Sequence, residues 1–307
     1  MRNADGHRIV PTLKAGDVKM VPCSRYEEIQ ECVNYHIAMA GAMEAPTKFR
    51  FLNDPGPTVG PQQFIVGENM ERVAEEVLNA QSLVRRSQPG GCTPLTNHIL
   101  EIQREVVSLA PSVRANGQRI AIVIATDGLP TDESGHGGEI FKKEFVDALR
   151  LLEGLPVWVV IRLCTDEDEV VDFYNDLDAV LELSIEVLDD FVGEAKEVYA
   201  CNPWLNYALP IHRMRELGFH DRVFDMLDER LLTKSELRDF CYLLFGESNC
   251  DGVPDPSLDW NGFIRNVERL LRQESLQWNP IRKCMKPWIS IKKLNRCYSG
   301  APSCIIL

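Results

Sequence analysis

Two apolar runs, each ending in a polar turn, constrain the fold of this chain more than any other feature. The runs are RIAIVIAT at 119–126 and PVWVVIRL at 156–163. They are rich in β-branched residues and lack the alternation of half-exposed strands, which is typical of strands buried on both faces. A helical pattern at 139–152 lies between them. Because parallel strands need such a crossover, the pattern predicts an α/β fold with a doubly wound, Rossmann-like parallel sheet.

Three predicted strands end in polar, partly acidic residues. These strand ends are Asn53-Asp54, Thr126-Asp127 and Thr165-Asp166. The carboxyl ends of parallel strands meet at one edge of the sheet, and ligands bind outside that edge. The sequence therefore predicts that any site lies among these three turns.

The order of patterns divides the chain into four parts. Residues 1–23 are polar and contain two glycines and two prolines, so they are predicted to form an extended loop. An α/β domain is predicted over 24–200, beginning with a capping box at Ser24 and Glu27. Strand patterns cease after it, and we predict a small all-α domain over 201–275, followed by a polybasic tail over 276–307.

The charge distribution separates the tail from the rest of the chain. The net charge is −13, which excludes a general nucleic-acid binder. Residues 275–307 nevertheless contain no Asp or Glu, and their cations are Arg282, Lys283, Lys286, Lys292, Lys293 and Arg296. A basic tail on an acidic body predicts a partner for the tail. The ten cysteines include no C-x-x-C pair, so we expect buried free thiols in a reducing compartment rather than disulfides.

A glycine loop followed by the first buried strand carries a family resemblance. Gly90-Gly91-Cys92-Thr93-Pro94-Leu95, together with RIAIVIATDGLPTD, resembles the von Willebrand factor A domain over residues 20–200. That family carries a metal-ion-dependent adhesion site. The resemblance implies that Thr93 and Asp127 help to bind Mg²⁺ and that Gly90, Gly91 and Gly128 shape the ligand loop. It also implies a protein partner whose carboxylate completes the metal site.

The chain departs from the family at its beginning. It contains no D-x-S-x-S motif, and no strand precedes the helix at Ser24. We therefore expect a domain that lacks its first strand. In the family the motif is often followed by a Met. We therefore expect Met1 to correspond to that residue, with the first strand and the motif encoded upstream of it. The alternative is that Thr93 and Asp127 belong to a vestigial loop.

The last four residues, Cys304-Ile305-Ile306-Leu307, form a C-a-a-X sequence. A terminal Leu favours geranylgeranylation of Cys304, and the basic residues upstream supply the second membrane signal that one lipid chain needs. Cys297 is a candidate palmitoylation site. This predicts a cytoplasmic protein that is peripheral on the inner surface of a membrane. The alternative is an apolar terminus that docks on the protein itself.

The predicted helical domain contains a weak calcium pattern. Asp225, Glu229 and Glu236 fall at the first, fifth and twelfth positions of an EF-hand-like loop. Leu227 and Arg230, however, stand where that loop requires a ligand and a glycine. A packed helical module with an acidic face is therefore favoured over a calcium site.

These patterns predict a non-enzymatic protein-binding module that resembles a von Willebrand A domain and is tethered to a membrane. No nucleotide-binding or catalytic motif is present, and the six histidines show no zinc-ligand spacing. Two alternatives remain: a subunit of a metal-dependent enzyme complex of the chelatase or hydrolase type, and a non-functional fragment of a truncated gene.

Overall fold

A computed structural model describes residues 1–13, 16–165, 167–188 and 190–298. The chain divides into two compact units. The first comprises Met1–Arg8, Val21–Asp190 and Glu216–Gly218. The second comprises Ile9–Met20, Phe191–Arg215 and the chain from Phe219 onward.

The first unit contains alternating helices and strands. Its elements after the N-terminal hairpin are α1 (Arg25–Ala42), β3 (Thr47–Arg50), β4 (Gln63–Val66), α2 (Val73–Arg86), α3 (Leu95–Ala115), β5 (Ile120–Thr126), α4 (Glu139–Arg150), β6 (Val157–Leu163), α5 (Asp168–Asn175), α6 (Leu177–Val180) and β7 (Ile185–Leu188).

A parallel sheet of order β5–β6–β7 is the centre of this unit. The pairing of β5 with β6 runs without interruption from Ile120 opposite Val157 to Thr126 opposite Leu163. Six of the seven β6 residues are at most 4% exposed, the exception being Trp158, as expected of a strand covered on both faces. The mixed α/β class with a parallel sheet is confirmed.

The remaining strands of the α/β region form a sheet of their own. Strands β3 and β4 pair antiparallel, from Thr47 opposite Val66 to Arg50 opposite Gln63. Among the described residues, no strand links this pair to β5. Their core is also separate, because Val66 packs with apolar residues of α1 and α2 rather than with those around β6. The doubly wound domain, which we predicted to lack its first strand, therefore contains two sheets.

Residues 1–23 form a β-hairpin and not the extended loop that we predicted. Strands β1 (Gly6–Pro11) and β2 (Val18–Cys23) pair with each other. The glycines and prolines lie mostly at strand ends or in the turn between them, while Ile9, Val10, Val18 and Val21 supply β-branched residues within the strands. The capping box that follows is confirmed, because the side chains and backbone of Ser24 and Glu27 bond reciprocally.

The second unit is mainly helical and includes most of the segment that we predicted as a tail. Its elements from residue 191 are α7 (Phe191–Cys201), α8 (Leu209–Glu216), α9 (Arg222–Glu229), α10 (Lys234–Phe245), a 3₁₀ turn (Glu247–Cys250), α11 (Trp260–Leu271), β8 (Gln277–Asn279), β9 (Cys284–Lys286) and α12 (Ile291–Tyr298). Glu216 itself belongs to the first unit.

Residues 277–298 are folded because apolar side chains are interspersed among their charges. Trp288, Ile289 and Leu294 are at most 7% exposed and belong to the core of the second unit. Burying a large apolar side chain contributes about 1.5–3 kcal/mol, which is enough to hold a basic segment on the helices. The C-a-a-X residues, including Cys304, lie outside the described residues.

The three acidic residues of the EF-hand-like pattern do not share a loop. Asp225 and Glu229 lie in α9, and Glu236 lies in the first turn of α10. There Glu236 accepts hydrogen bonds from the backbone nitrogen of Thr233 at 2.8 Å and from Arg230 at 2.7 and 2.9 Å. These bonds, chiefly those from Arg230, lower the pKa of Glu236 to about 2.

This capping network predicts a pH-dependent part of the stability. Because the pKa of Glu236 falls from 4.5 to about 2 on folding, its contribution is complete above about pH 4.5 and is lost towards pH 2. Since Arg230 is half-exposed, solvent screening limits the effect. We expect Glu236→Gln to lower the free energy of unfolding by about 1 kcal/mol at pH 7.

Urea unfolding at pH 7, 5 and 3.5 measures this difference, which should shrink at the lowest pH. Glu274→Gln is the matched control, because Glu274 is exposed and outside the network. A loss that does not change with pH would contradict the interpretation.

Candidate functional site

The glycine loop and the loop after β5 are held together by two reciprocal hydrogen bonds. The backbone nitrogen of Thr131 donates to the carbonyl oxygen of Thr93 at 2.9 Å. The backbone nitrogen of Thr93 donates to Oγ1 of Thr131, also at 2.9 Å. A β-carbon placed on Gly128 would lie 3.9 Å from Oγ1 of Thr93. The structure thus brings Thr93 next to the Asp127-Gly128 turn, two elements that are far apart in sequence.

Asn53, at the first polar strand end, fixes the glycine loop from its other side. Its Nδ2 donates to the carbonyl oxygen of Cys92 at 2.9 Å, and its Oδ1 accepts from the Cys92 nitrogen at 3.3 Å. Gly91 has φ +90°, and a β-carbon there would lie 2.3 Å from Cγ of Asn53. Only glycine adopts this positive φ without strain and also leaves room for the Asn53 side chain. At Gly90, by contrast, a β-carbon would meet nothing within 4 Å.

The turn after β5 is held by hydrogen bonds from Thr126 and Tyr174 to Gly128. Oγ1 of Thr126 donates to the Gly128 carbonyl at 3.1 Å and accepts from the Gly128 nitrogen at 3.3 Å. The Tyr174 hydroxyl donates to the same carbonyl at 3.0 Å.

Asp54 accepts from the backbone of Gly56 at 2.8 Å and so belongs to its own turn. At the third strand end, Thr165 is buried, and Asp166 lies outside the described residues.

A cationic group lies against the Asp127 carboxylate. The amino nitrogen of Met1 forms an ion pair with Oδ2 of Asp127, whose side chain is 20% exposed. The segment is held there by Tyr26, whose nitrogen donates to the Met1 carbonyl at 3.0 Å, and by Arg2, which donates to the Pro89 carbonyl at 3.2 Å. The Asp127 carboxylate is thus placed where a positive charge can reach it.

Thr93 and Asp127 could supply two oxygen ligands to a divalent ion. Oγ1 of Thr93 makes no hydrogen bond to any described residue, and Asp127 carries a negative charge. Mg²⁺ prefers roughly six oxygen ligands and usually keeps several waters, with one or two carboxylates from the protein. An ion held by these two residues would take its remaining oxygens from water or from a partner.

A second cluster was not predicted from the sequence. Cys32 and His36 lie one turn apart on α1, and their Sγ and Nε2 atoms are 3.7 Å apart. Both face Glu216: the Cys32 thiol donates to Oε2 at 3.3 Å, and Nε2 of His36 lies 3.8 Å from the same oxygen. The i, i+4 spacing of Cys32 and His36 predicts that they share a helix face. No local pattern links them to Glu216, which lies 184 residues after Cys32.

All three side chains of this cluster are buried, at 3%, 8% and 0% exposure for Cys32, His36 and Glu216. Burial disfavours the charged imidazolium, but the neighbouring sulfur of Cys32 and the carboxylate of Glu216 outweigh that effect. Together they raise the pKa of His36 to about 9.

Arg162 of β6 pairs with Glu216 of this cluster and with a second carboxylate, which lies on α1. The Arg162 side chain is 2% exposed in a strand that is otherwise apolar. Its Nε donates to Oε1 of Glu216 at 3.1 Å, and its Nη2 forms an ion pair with Glu28. A buried guanidinium is tolerated only when it is paired and hydrogen-bonded, so the two carboxylates are a condition for this strand to be buried.

In the second unit, residues of the predicted basic tail line an open cleft of about 780 Å³. Arg282 and Lys293 donate to the Tyr199 hydroxyl at 3.2 and 3.1 Å and lower its pKa, Lys293 contributing more. Cys297, the candidate palmitoylation site, lies in α12 and packs partly against the helical core. Among the described residues, no helix is long and apolar enough to cross a membrane.

Comparison with known proteins assigns no family. No protein-family model matches the chain, and no curated protein is significantly similar to it. The geometry of the two clusters is therefore the basis for a functional proposal.

The buried Arg162 network predicts a large and specific loss of stability. Arg162→Met retains most of the side-chain volume but leaves Glu28 and Glu216 without their guanidinium. Breaking a buried ion pair from one side costs about 3–5 kcal/mol, which we expect as the decrease in the free energy of unfolding measured in urea.

Arg150→Met is the matched control, because Arg150 forms a surface pair with Asp147 and both side chains are about half exposed. It should change stability by less than about 1 kcal/mol. The double variant Arg162→Met/Glu216→Gln should recover part of the loss. Equal effects of Arg162→Met and Arg150→Met would contradict the assigned role.

Proposed function

We propose that this chain is a non-enzymatic protein-binding module with a von Willebrand A-like first unit. Its binding edge is the loop pair that contains Thr93 and Asp127. The observation that supports this most is the pair of hydrogen bonds between Thr93 and Thr131, which holds the glycine loop against the loop that follows Asp127. Binding sites of open parallel sheets lie at this edge.

The proposed site contains Mg²⁺, which supplies an open coordination position for a carboxylate of the protein partner. Thr93 contributes a neutral oxygen and Asp127 contributes negative charge. Gly91 allows the loop to approach Asn53 closely. Because both loops are fixed by hydrogen bonds before a partner arrives, little conformational entropy is lost on binding.

The second part of the proposal is a membrane tether at the chain's end. Geranylgeranylation of Cys304 supplies a lipid, and exposed cations supply the electrostatic signal that a single lipid requires. Five cations of the basic segment are exposed, namely Arg282, Lys283, Lys286, Lys292 and Arg296. Each contributes about 1 kcal/mol near an anionic leaflet.

The metal part of the proposal is tested with Mn²⁺ as a probe, by the loss of the free-ion electron paramagnetic resonance signal. We expect the chain to bind one Mn²⁺ that Mg²⁺ displaces. Asp127→Asn should weaken binding at least about tenfold, because the site loses its charge. Acetylation of the Met1 amino group should strengthen it, because the ammonium no longer competes for Asp127.

Asp54→Asn is the matched control, since Asp54 is a strand-end carboxylate that belongs to its own turn. If the acetylated chain binds no Mn²⁺, or if Asp127→Asn and Asp54→Asn behave alike, the metal site is wrong. Protein partners retained by the wild-type chain should be released by EDTA and not retained by Asp127→Asn. Partners that survive both treatments would contradict metal-mediated binding.

The tether is tested in cells by fractionation of the full chain. Cys304→Ser should move the protein from the membrane pellet to the supernatant, because it removes the thiol to which the prenyl group is attached. Cys297→Ser is the control, since its side chain packs partly against the helical core. An unchanged membrane share of Cys304→Ser would contradict prenylation, and a loss with Cys297→Ser alone would indicate a different lipid site.

A further inference from the structure

The buried cluster on α1 contains the three donor types that zinc prefers in proteins. Cys32 offers a sulfur, His36 a ring nitrogen and Glu216 a carboxylate oxygen, and the three atoms lie within 4.8 Å of one another. We propose that these residues bind a divalent metal of the zinc class. This site is separate from the strand-end Mg²⁺ site and does not depend on it.

The three donor atoms form a triangle of suitable size. Its sides are 3.3 Å from sulfur to oxygen, 3.7 Å from sulfur to nitrogen and 3.8 Å from nitrogen to oxygen. The point equidistant from the three atoms lies about 2.1 Å from each, which compares with zinc bond lengths of roughly 2.0–2.3 Å. A metal therefore fits between the donors with movements of a few tenths of an ångström.

The surrounding groups present these donors in a fixed orientation. Cys32 and His36 share one face of α1 because residues four apart are neighbours on a helix. The Nε of Arg162 holds Oε1 of Glu216 at 3.1 Å, which turns Oε2 towards the thiol and the imidazole. Hydrogen bonds of this kind to the outer atom of a metal-binding carboxylate orient it and tune its affinity.

Metal binding requires a thiolate at Cys32 and a neutral ring nitrogen at His36, and the displaced protons pass to solvent. Arg162 keeps its pairing with Glu28 and with Oε1 of Glu216, because the metal uses the other oxygen, Oε2. A thiolate ligand favours zinc-class ions over Mg²⁺ and Ca²⁺, which prefer oxygen.

The site is structural rather than catalytic in this proposal. None of the three residues is more than 8% exposed, so a substrate would have no access to an ion bound there. Its effect is to link α1 to Glu216, which is distant in sequence.

The test uses the full chain, stripped of metal with a chelator and then titrated with Co²⁺ as a spectroscopic probe. We expect one equivalent to bind and to produce thiolate-to-cobalt charge-transfer absorption, which Zn²⁺ then abolishes by displacement. Cys32→Ser should remove the charge-transfer band. Cys164→Ser should retain it, because Cys164 is another buried thiol of the same unit but is outside the cluster.

Thermal unfolding gives a readout that requires no variant. The melting temperature of the wild-type chain should rise as free Zn²⁺ increases and fall again with chelator. Asp127→Asn should leave both the band and this rise intact, which distinguishes the site from the strand-end site. Co²⁺ binding without a charge-transfer band, an equal band in Cys32→Ser, or a melting temperature that does not respond to Zn²⁺ would overturn the proposal, leaving a metal-free buried network.

Discussion

The parallel pairing of β5 with β6 is the interaction on which the first unit depends. Seven consecutive residue pairs bring the two strands to an end at the same level, with Thr126 opposite Leu163. The Cys164 nitrogen extends the pairing by donating to the Thr126 carbonyl at 2.9 Å. Because the register is continuous to the last pair, the turn containing Asp127 leaves the sheet in a defined direction. The glycine loop can therefore hydrogen-bond to it without further support from the strands.

Local patterns were sufficient to predict the elements of this sheet but not its extent. Both runs form strands, but only the run at 156–163 is buried on both faces as predicted, because β5 leaves Ala121 and Val123 exposed. Strands β3 and β4 pack with α1 and α2 in a core of their own, and no local pattern records those contacts. The segment 277–298 was misjudged for a related reason: two three-residue strands are too short to show a period, and the basic residues concealed Trp288 and Ile289.

The two sites differ in how much of each could be predicted. Thr93 and Asp127 were predicted to share a strand-end edge, and the geometry of their loops agrees with that expectation. The Met1 amino group beside Asp127 could not be foreseen, because the contact depends on where the N-terminal hairpin directs the chain. For the buried cluster, the helical spacing of Cys32 and His36 is a local fact, whereas Glu216 is brought to them only by the tertiary fold.

The buried Arg162 also has a consequence for the order in which the chain can fold. Its two carboxylate partners, Glu28 and Glu216, lie 134 and 54 residues away in sequence. Until both carboxylates are in place, the Arg162 guanidinium has no ionic partner, and burying an unpaired charge is unfavourable. This opposes early hydrophobic collapse around β6. Long-range contacts of this kind carry a loop-closure cost and slow folding. We therefore expect β6 to be buried only once both carboxylates are in place, which in a nascent chain means after residue 216 has been synthesised.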